Sequence, residues 1–326
     1  MRCCVKFNFE IKEIDKVDAI EFVQKYHYSP VMPTINKYFL GFFLNDELKG
    51  VLTLGWGTQP RHTFNKMFPS LKEEVFEERE KEEPSTLRSF FPEEEKVKPK
   101  KEEKKKSKDY KNPLTNYYLE IGKMCLSPDL NKTNAGSQMV SATIRWMKEN
   151  TNCKFLYTMA DGIMGKCGYV YQASNFYFGE KYWTDVYMME NGEKFHPRSS
   201  YDMCQENLDW EIARAKSENR VYDKQSISWF TTDFMREKGI KRIKGYMFRY
   251  IYPLNKKAKK LMKNGSALKW SKEYPKDKDL EWLDVTDKKD RKLIDRPPFT
   301  FETAKYNLKN IEAHVRGGLT NQNSVV

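Results

Sequence analysis

The chain has 326 residues, a formal net charge of +12, 39% hydrophobic residues and 32% charged ones. That length and an aromatic content of 14% supply enough apolar material for one or two cores and exclude a wholly disordered chain. No apolar run approaches the roughly 18 to 20 residues that a membrane-spanning helix needs, and Met1 to Glu10 lacks the layout of a secretion signal, so a protein of the cytoplasm with no membrane partner is expected.

In chain order, MRCCVKFN (residues 1–8) reads as a first strand, and IDKVDAIEFVQKYHYS as an amphipathic helix with Val17, Ile20, Phe22 and Val23 inward. Pro30 and Pro33 stop that helix. YFLGFFLN and LKGVLTLGW form a hairpin around Asn45, Asp46 and Glu47. Ser70 to Pro113 is then a charged block in which 13 acidic and 13 basic residues cancel, a composition that suits a surface insertion. YYLEIGKMCL is a further strand. The polar loop NKTNAGS leads into a helix with Met139, Val140, Thr143, Ile144 and Met147 on one face, and CKFLYTMAD is the next strand. This order predicts an α/β domain (α+β, mixed sheet) that ends near residue 190.

Beyond it, the chain to about residue 235 reads as polar and partly helical. Arg236 to Lys263 holds 11 Lys and Arg against Glu237 alone, with GYMFRYIYPL as a strand and KKAKKLMK as an exposed helix. Lys241, Arg242, Lys244 and Arg249 there are candidate phosphate contacts to double-stranded DNA, because a compact cationic patch gains from counterion release. A basic surface that only aids solubility is the competing reading. The expected division is 1–69 and 114–190 as halves of a core, 70–113 as an insertion, 191–275 as a basic extension, and 276–326 as a tail that frays after Tyr306.

Chemistry concentrates in three places. In NKTNAGSQM, Asn134, Gly136 and Ser137 stand at a helix amino terminus, where unpaired amides favour an anion such as a pyrophosphate, although Ser and Asn are also ordinary helix caps. In YHYSP, His27, Tyr28 and Ser29 offer an imidazole, a phenol and a hydroxyl able to stack a base and exchange a proton, or simply to pack a helix end. In ADGIMGKCGYVYQASNF, Asp161 ends a strand and opens a Gly-rich turn, followed by Tyr171, Ser174 and Asn175; Asp161 is a proton acceptor or orienting group, or a turn cap. The six cysteines show no paired C-x-x-C spacing, and four histidines are too few for a multi-histidine centre.

Taken together, YHYSP, EIGKMCL, the loop with Asn134 and Ser137, and above all MADGIMGKCGYVYQASNFYFG resemble the phage Mom family of DNA modification enzymes. FHPRS (195–199, with Arg198) and GYMFRYIYPL are similar to segments of Mom-like proteins. The resemblance implies a fold related to the GCN5-type N-acetyltransferases, an acetyl-CoA site, and conversion of the exocyclic amine of adenine in DNA to a carbamoylmethyl (acetamido) form that protects phage DNA from restriction inside the bacterial host. By position, His27, Tyr28 and Ser29 match the family's H-Y-S, Asp161 and Tyr171 its acid and tyrosine, and Ser137 its serine-containing loop. Tyr28 would stack the base, Asp161 or His27 would take a proton, and Tyr171 and Lys123 would steady charge. Family members are also associated with iron, for which His27 and Asp161 are the candidate ligands. Two departures stand out: Lys123 where an arginine is usual, and Lys166 and Cys167 where a Gly-His pair is common. A homodimer, a binding protein without catalysis, and an N-acyltransferase acting on another amine stay open.

Overall fold

The computed structural model describes residues 5–29, 31–33, 35–57, 59–76, 113–195, 201–227, 229–287 and 289–301. The chain begins its sheet with a short edge strand, β1 (Glu10–Glu13), which pairs antiparallel with β2 (Ile35–Leu44). Of the strand expected at residues 1–8, residues 1–4 lie outside the described residues and residues 5–8 are irregular; the strand pairing begins at Glu10. Between them lies α1 (Lys16–Tyr26), which buries Ala19, Ile20, Phe22 and Val23 while Val17 is half-buried.

The hairpin of β2 and β3 (Glu47–Trp56) turns on Asn45 and Asp46, whose φ values of 50° and 63° are the left-handed pair that a two-residue hairpin requires. Next, α2 (Pro60–Met67) and α3 (Lys72–Phe76) bury Phe64, Met67, Val75 and Phe76. The charged block thus does not begin at Ser70 as a surface loop, because Val75 and Phe76 anchor its first residues in the core beside Leu114. Residues 77–112 lie outside the described residues.

From there, β4 (Tyr118–Leu126), α4 (Ala135–Asn150) and β5 (Phe155–Asp161) follow as expected, and Met139, Val140, Thr143, Ile144 and Met147 of α4 are all buried. Val51 and Cys125 pack with α1, whereas Leu52, Leu54 and Ile121 pack with α4. Since neighbouring strand residues point to opposite faces, the two helices cover opposite faces of the sheet. Burying each such aliphatic chain contributes about 1.5–3 kcal/mol.

The rest of the sheet comes from α5 (Tyr169–Ala173), β6 (Tyr177–Met188), β7 (Lys194–Phe195), α6 (Tyr201–Ser217), α7 (Thr232–Glu237), β8 (Lys241–Pro253), α8 (Lys256–Gly265), β9 (Trp282–Asp284) and β10 (Lys292–Ile294). The strand order is β1-β2-β3-β4-β5-β8-β6-β7, with β9 on β8 and β10 on β9. The sheet does not divide at residue 190: β8 enters between β5 and β6, and Phe248, Tyr250, Ile251 and Leu254 belong to the main core. What does project is the far part of β6 and β8. β5 stops opposite Met247, yet β6 and β8 stay paired out to Met188 and Lys241. There Tyr187, Phe230, Phe234, Met235 and Ile240 form a small second core with α6 and α7. Among the described residues no helix is long and apolar enough to cross a membrane.

Candidate active site

β4 and β5 are the only parallel neighbours in the described sheet, and they pair at just three positions, the last being Glu120 opposite Tyr157. Beyond that pair the strands part, and the fork between them holds most of the residues of interest. α4 leaves from the loop after β4. Asn134 stands at its N-cap and makes no side-chain capping bond there. The Ser137 hydroxyl donates to Asn134 O (2.9 Å), and Thr133 Oγ1 accepts from the Ala135 amide (3.1 Å). A Cβ at Gly136 would stand 3.3 Å from Val170, so this first turn lies close against α5. Such a helix start suits a diphosphate.

The end of α1 brings His27, Tyr28 and Ser29 to β4. Lys123 Nζ donates to Ser29 O (2.9 Å) and to Ser29 Oγ (3.2 Å), clamping the segment. His27 Nδ1 lies 3.0 Å from the Ser29 amide and 2.8 Å from its carbonyl oxygen, and the imidazole stacks on Tyr28 at 4.3 Å. Burial and then the charge of Lys123 lower the His27 pKa to about 4, so the ring is neutral at neutral pH. Burial, with Lys194 nearby, lowers Lys123 to about 8.

Asp161 closes the opposite side. Its Oδ1 accepts from the Met164 amide (3.3 Å) and its Oδ2 is 3.5 Å from Lys194 Nζ, so it both caps the turn and pairs with a cation. The turn starts on Gly162, where a Cβ would come within 2.3 Å of Tyr246 O, a distance only glycine tolerates. Lys166 Nζ lies 6.0 Å from the Tyr28 ring. Tyr28 is 42% exposed, meets Phe301 edge-on at 6.2 Å, and has Asp161 and Tyr171 within electrostatic reach of its hydroxyl. Tyr171 is buried between Phe176 and Tyr250, with centroids 5.6 and 5.5 Å away.

The structure thus brings together His27, Tyr28, Ser29, Lys123, Asp161 and Tyr171. Ser174 and Asn175 do not join them. The Ser174 hydroxyl donates to Val170 O (2.8 Å) within α5, and Asn175 takes the left-handed turn after it, with φ 61°. Arg198, with residues 196–200, lies outside the described residues. The basic run 236–263 is not one patch. Arg242 pairs with Asp185, and Arg249 lies 4.0 Å over the Tyr182 ring. Lys241 is exposed and Lys244 stands opposite Asp185 on β6. α8, with its five lysines outward, follows Pro253, which pairs with Phe155 at the start of β5. It sits about 20 Å along the strand from Asp161, at 3.3 Å per residue.

Several site residues escaped sequence reasoning. Lys194 sits one residue before FHPRS, and Glu120 lies inside the strand EIGKMCL; neither has a spacing signal of its own. Residues 276–301, the start of the expected tail, are built onto the site, and the part expected to fray, after Tyr306, lies outside the described residues. Trp282 Nε1 donates to Ile163 O (2.8 Å), and Arg296 covers Gly165. The four described cysteines, Cys125, Cys153, Cys167 and Cys204, are buried.

Iron does not suit this arrangement. Among the described residues no three His, Cys, Asp or Glu side chains converge as metal ligands, and His27 and Asp161 have the ammonium groups of Lys123, Lys166 and Lys194 for neighbours. A divalent ion would meet two donors and three like charges.

No curated protein matches the chain. The profile of the Mom protein family matches residues 8–79 and 97–276, which takes in β2 to β8 and every part of the fork. The chain therefore belongs to the Mom protein family, a membership consistent with an enzyme of phage type that modifies DNA.

Proposed function

We propose that this protein modifies the exocyclic amine of adenine in double-stranded DNA, installing a carbamoylmethyl (acetamido) mark that shields phage DNA from restriction in the host cytoplasm. The observation that carries this reading is the gathering of three lysines at the fork: Lys123 beside His27 and Ser29, Lys166 6.0 Å from the ring of the exposed Tyr28, and Lys194 on Asp161. A phenol stacked on a neutral imidazole offers an apolar face to an extruded base, and the surrounding ammonium groups suit the phosphates on either side of it.

The strand order, the fork and the helix leaving it support a likeness to the GCN5-type N-acetyltransferases. Acetyl-CoA, when bound, would supply an electrophilic carbon on a good leaving group. The amides of Gly136 and Ser137 are the groups to hold its diphosphate. Tyr28 and His27 receive the base, Lys123 holds the receiving segment in place through Ser29, and Tyr171 lies within electrostatic reach of Tyr28. An aromatic amine is a weak nucleophile because its lone pair is delocalised, so positioning must supply much of the rate. Asp161 anchors the turn and places Lys194.

The test is nucleoside mass spectrometry on plasmid DNA from bacteria expressing the protein, beside Tyr28→Ala and Lys194→Ala variants. A new adenine species, reduced by at least tenfold in both variants, is the expected result. Unmodified DNA with saturable, salt-sensitive DNA binding would favour a binding protein instead.

A further inference from the structure

We propose that Phe301 is the second wall of the base-receiving site, so that the extruded adenine is held between its ring and that of Tyr28; this assignment rests on the function proposed above. The side chain comes from a strap that crosses the site. After β10 pairs with β9, and β9 with β8, the chain runs through Asp295, Arg296, Pro297 and Pro298 to Phe299, Thr300 and Phe301. Proline fixes its own φ and biases the residue before it toward extended backbone, so the Pro297–Pro298 pair stiffens the strap as it approaches the site.

Two anchors fix the strap. The Thr300 amide donates to Gly192 O (2.8 Å) and the Thr300 carbonyl accepts from the Lys194 amide (3.0 Å), which joins the strap to the chain beside β7. A Cβ at Gly192, whose φ is 86°, would stand 2.6 Å from Pro298 O, so glycine is what lets the two backbones come this close. On the other side, the Arg296 guanidinium lies against Gly165 of the turn after Asp161, where a Cβ would come within 2.8 Å of Nη1. These anchors aim two rings at residues of the site. Lys194 Nζ, 3.5 Å from Asp161 Oδ2, is 5.9 Å from the Phe299 centroid and 5.6 Å from that of Phe301. Phe301 in turn meets Tyr28 edge-on, with centroids 6.2 Å apart, while His27 stacks on Tyr28 at 4.3 Å.

A flat base held between two rings needs them about 7 Å apart, twice the roughly 3.5 Å of van der Waals contact. The 6.2 Å between Tyr28 and Phe301 is close to that, so Phe301 has only to turn from edge-on to face-on and withdraw by about an ångström. Phe301 is half-buried and Tyr28 is 42% exposed, so neither ring is locked inside a packed core. A phenylalanine ring forms no hydrogen bond with a base edge. Its contribution is contact with the face of the base, which offsets part of the cost of taking the base out of the duplex.

The experiment measures the affinity of the full chain for two duplexes of one sequence, the first fully paired and the second with a single adenine left unpaired, beside nucleoside mass spectrometry on plasmid DNA from the same cells. An unpaired base leaves the stack readily, so a base site favours the second duplex, whereas phosphate contacts bind both alike. The ratio of the two affinities does not depend on the fraction of protein that is folded, so it reads the base site alone. Phe301→Leu keeps apolar bulk but has no flat face, and is expected to lower that preference by about fivefold or more, with a parallel fall in adenine modification. Phe301→Tyr keeps the ring and is expected to hold the preference within about threefold. Full preference in Phe301→Leu would mean that the ring only packs, and faster modification in Phe301→Leu would mean that it covers Tyr28; either overturns the role of Phe301 while adenine modification stands. An unaltered protein without the preference has no base wall for Phe301 to form, and unmodified DNA beside it overturns the proposed function as well.

Discussion

Lys123 stands in a strand, yet its most telling contacts are with Ser29, 94 residues earlier. Its sequence neighbours say only that it sits in a strand; the partner that gives it a role arrives through the packing of α1 on the sheet. The same holds for Glu120, a buried carboxyl whose surroundings are set by the pairing of β4 with β5. Its raised pKa makes folding less favourable as pH climbs from the ordinary carboxylate value of 4.5 through about 7, because the folded state resists losing that proton. Glu120→Gln is accordingly expected to be more stable than the unaltered protein above pH 7, by up to ~3 kcal/mol, and no more stable near pH 4, as read by urea denaturation. His27 works in the opposite sense. Its pKa is depressed, so its contribution is present above pH 6.5 and is lost as pH falls toward about 4. Imidazole NMR signals titrating near 4 in the native protein would match this; a midpoint near 6.5 would contradict the buried, clamped geometry.

Among the elements, the long periodic ones were readable from the sequence. The α4 stripe and the hairpin at Asn45 and Asp46 follow from helical spacing and turn chemistry, and both are present. Short elements were not. α2, α3, α5 and α7 run five to eight residues, too few turns for a periodicity to show, and tertiary burial of one or two side chains holds each of them. α3 makes the point testable. Phe76 is 8% exposed and meets Phe64 edge-on at 5.9 Å, so Phe76→Ala is expected to cost about 3–5 kcal/mol, read as a fall in melting temperature. A change under 1 kcal/mol would place α3 with the solvated block that follows it.

Across the whole molecule, the distribution of charge is what folding rearranges most. The run 236–263 has a net charge of +10 and reads as one cationic patch, but the sheet sends its two ends in opposite directions. Lys241 lies on the part of β8 that projects past Asp161, while the lysines of α8 lie at the far end of β5. Reversing Lys166 and Lys194 to Glu is therefore expected to weaken DNA binding and to lower its salt slope by about one for each lysine replaced. Reversing Lys256 and Lys260 on α8 is expected to change adenine modification by less than about threefold; a larger fall there would mean that DNA wraps the far end of the sheet.

By itself the sequence determined the α/β character, the main strands and helices, and the identity of the chemical groups, because periodicity and residue type are local properties. YHYSP, the glycine-rich turn after Asp161 and the loop before α4 were all legible as candidate sites. Only the tertiary structure decided which of them meet. Strand order places β8 between β5 and β6, parts β4 from β5 after Glu120, and folds residues 276–301 back over the turn. Those juxtapositions arise from pairings between residues far apart in the chain, such as Ile163 and Trp282, 119 positions from each other, and no local pattern encodes them.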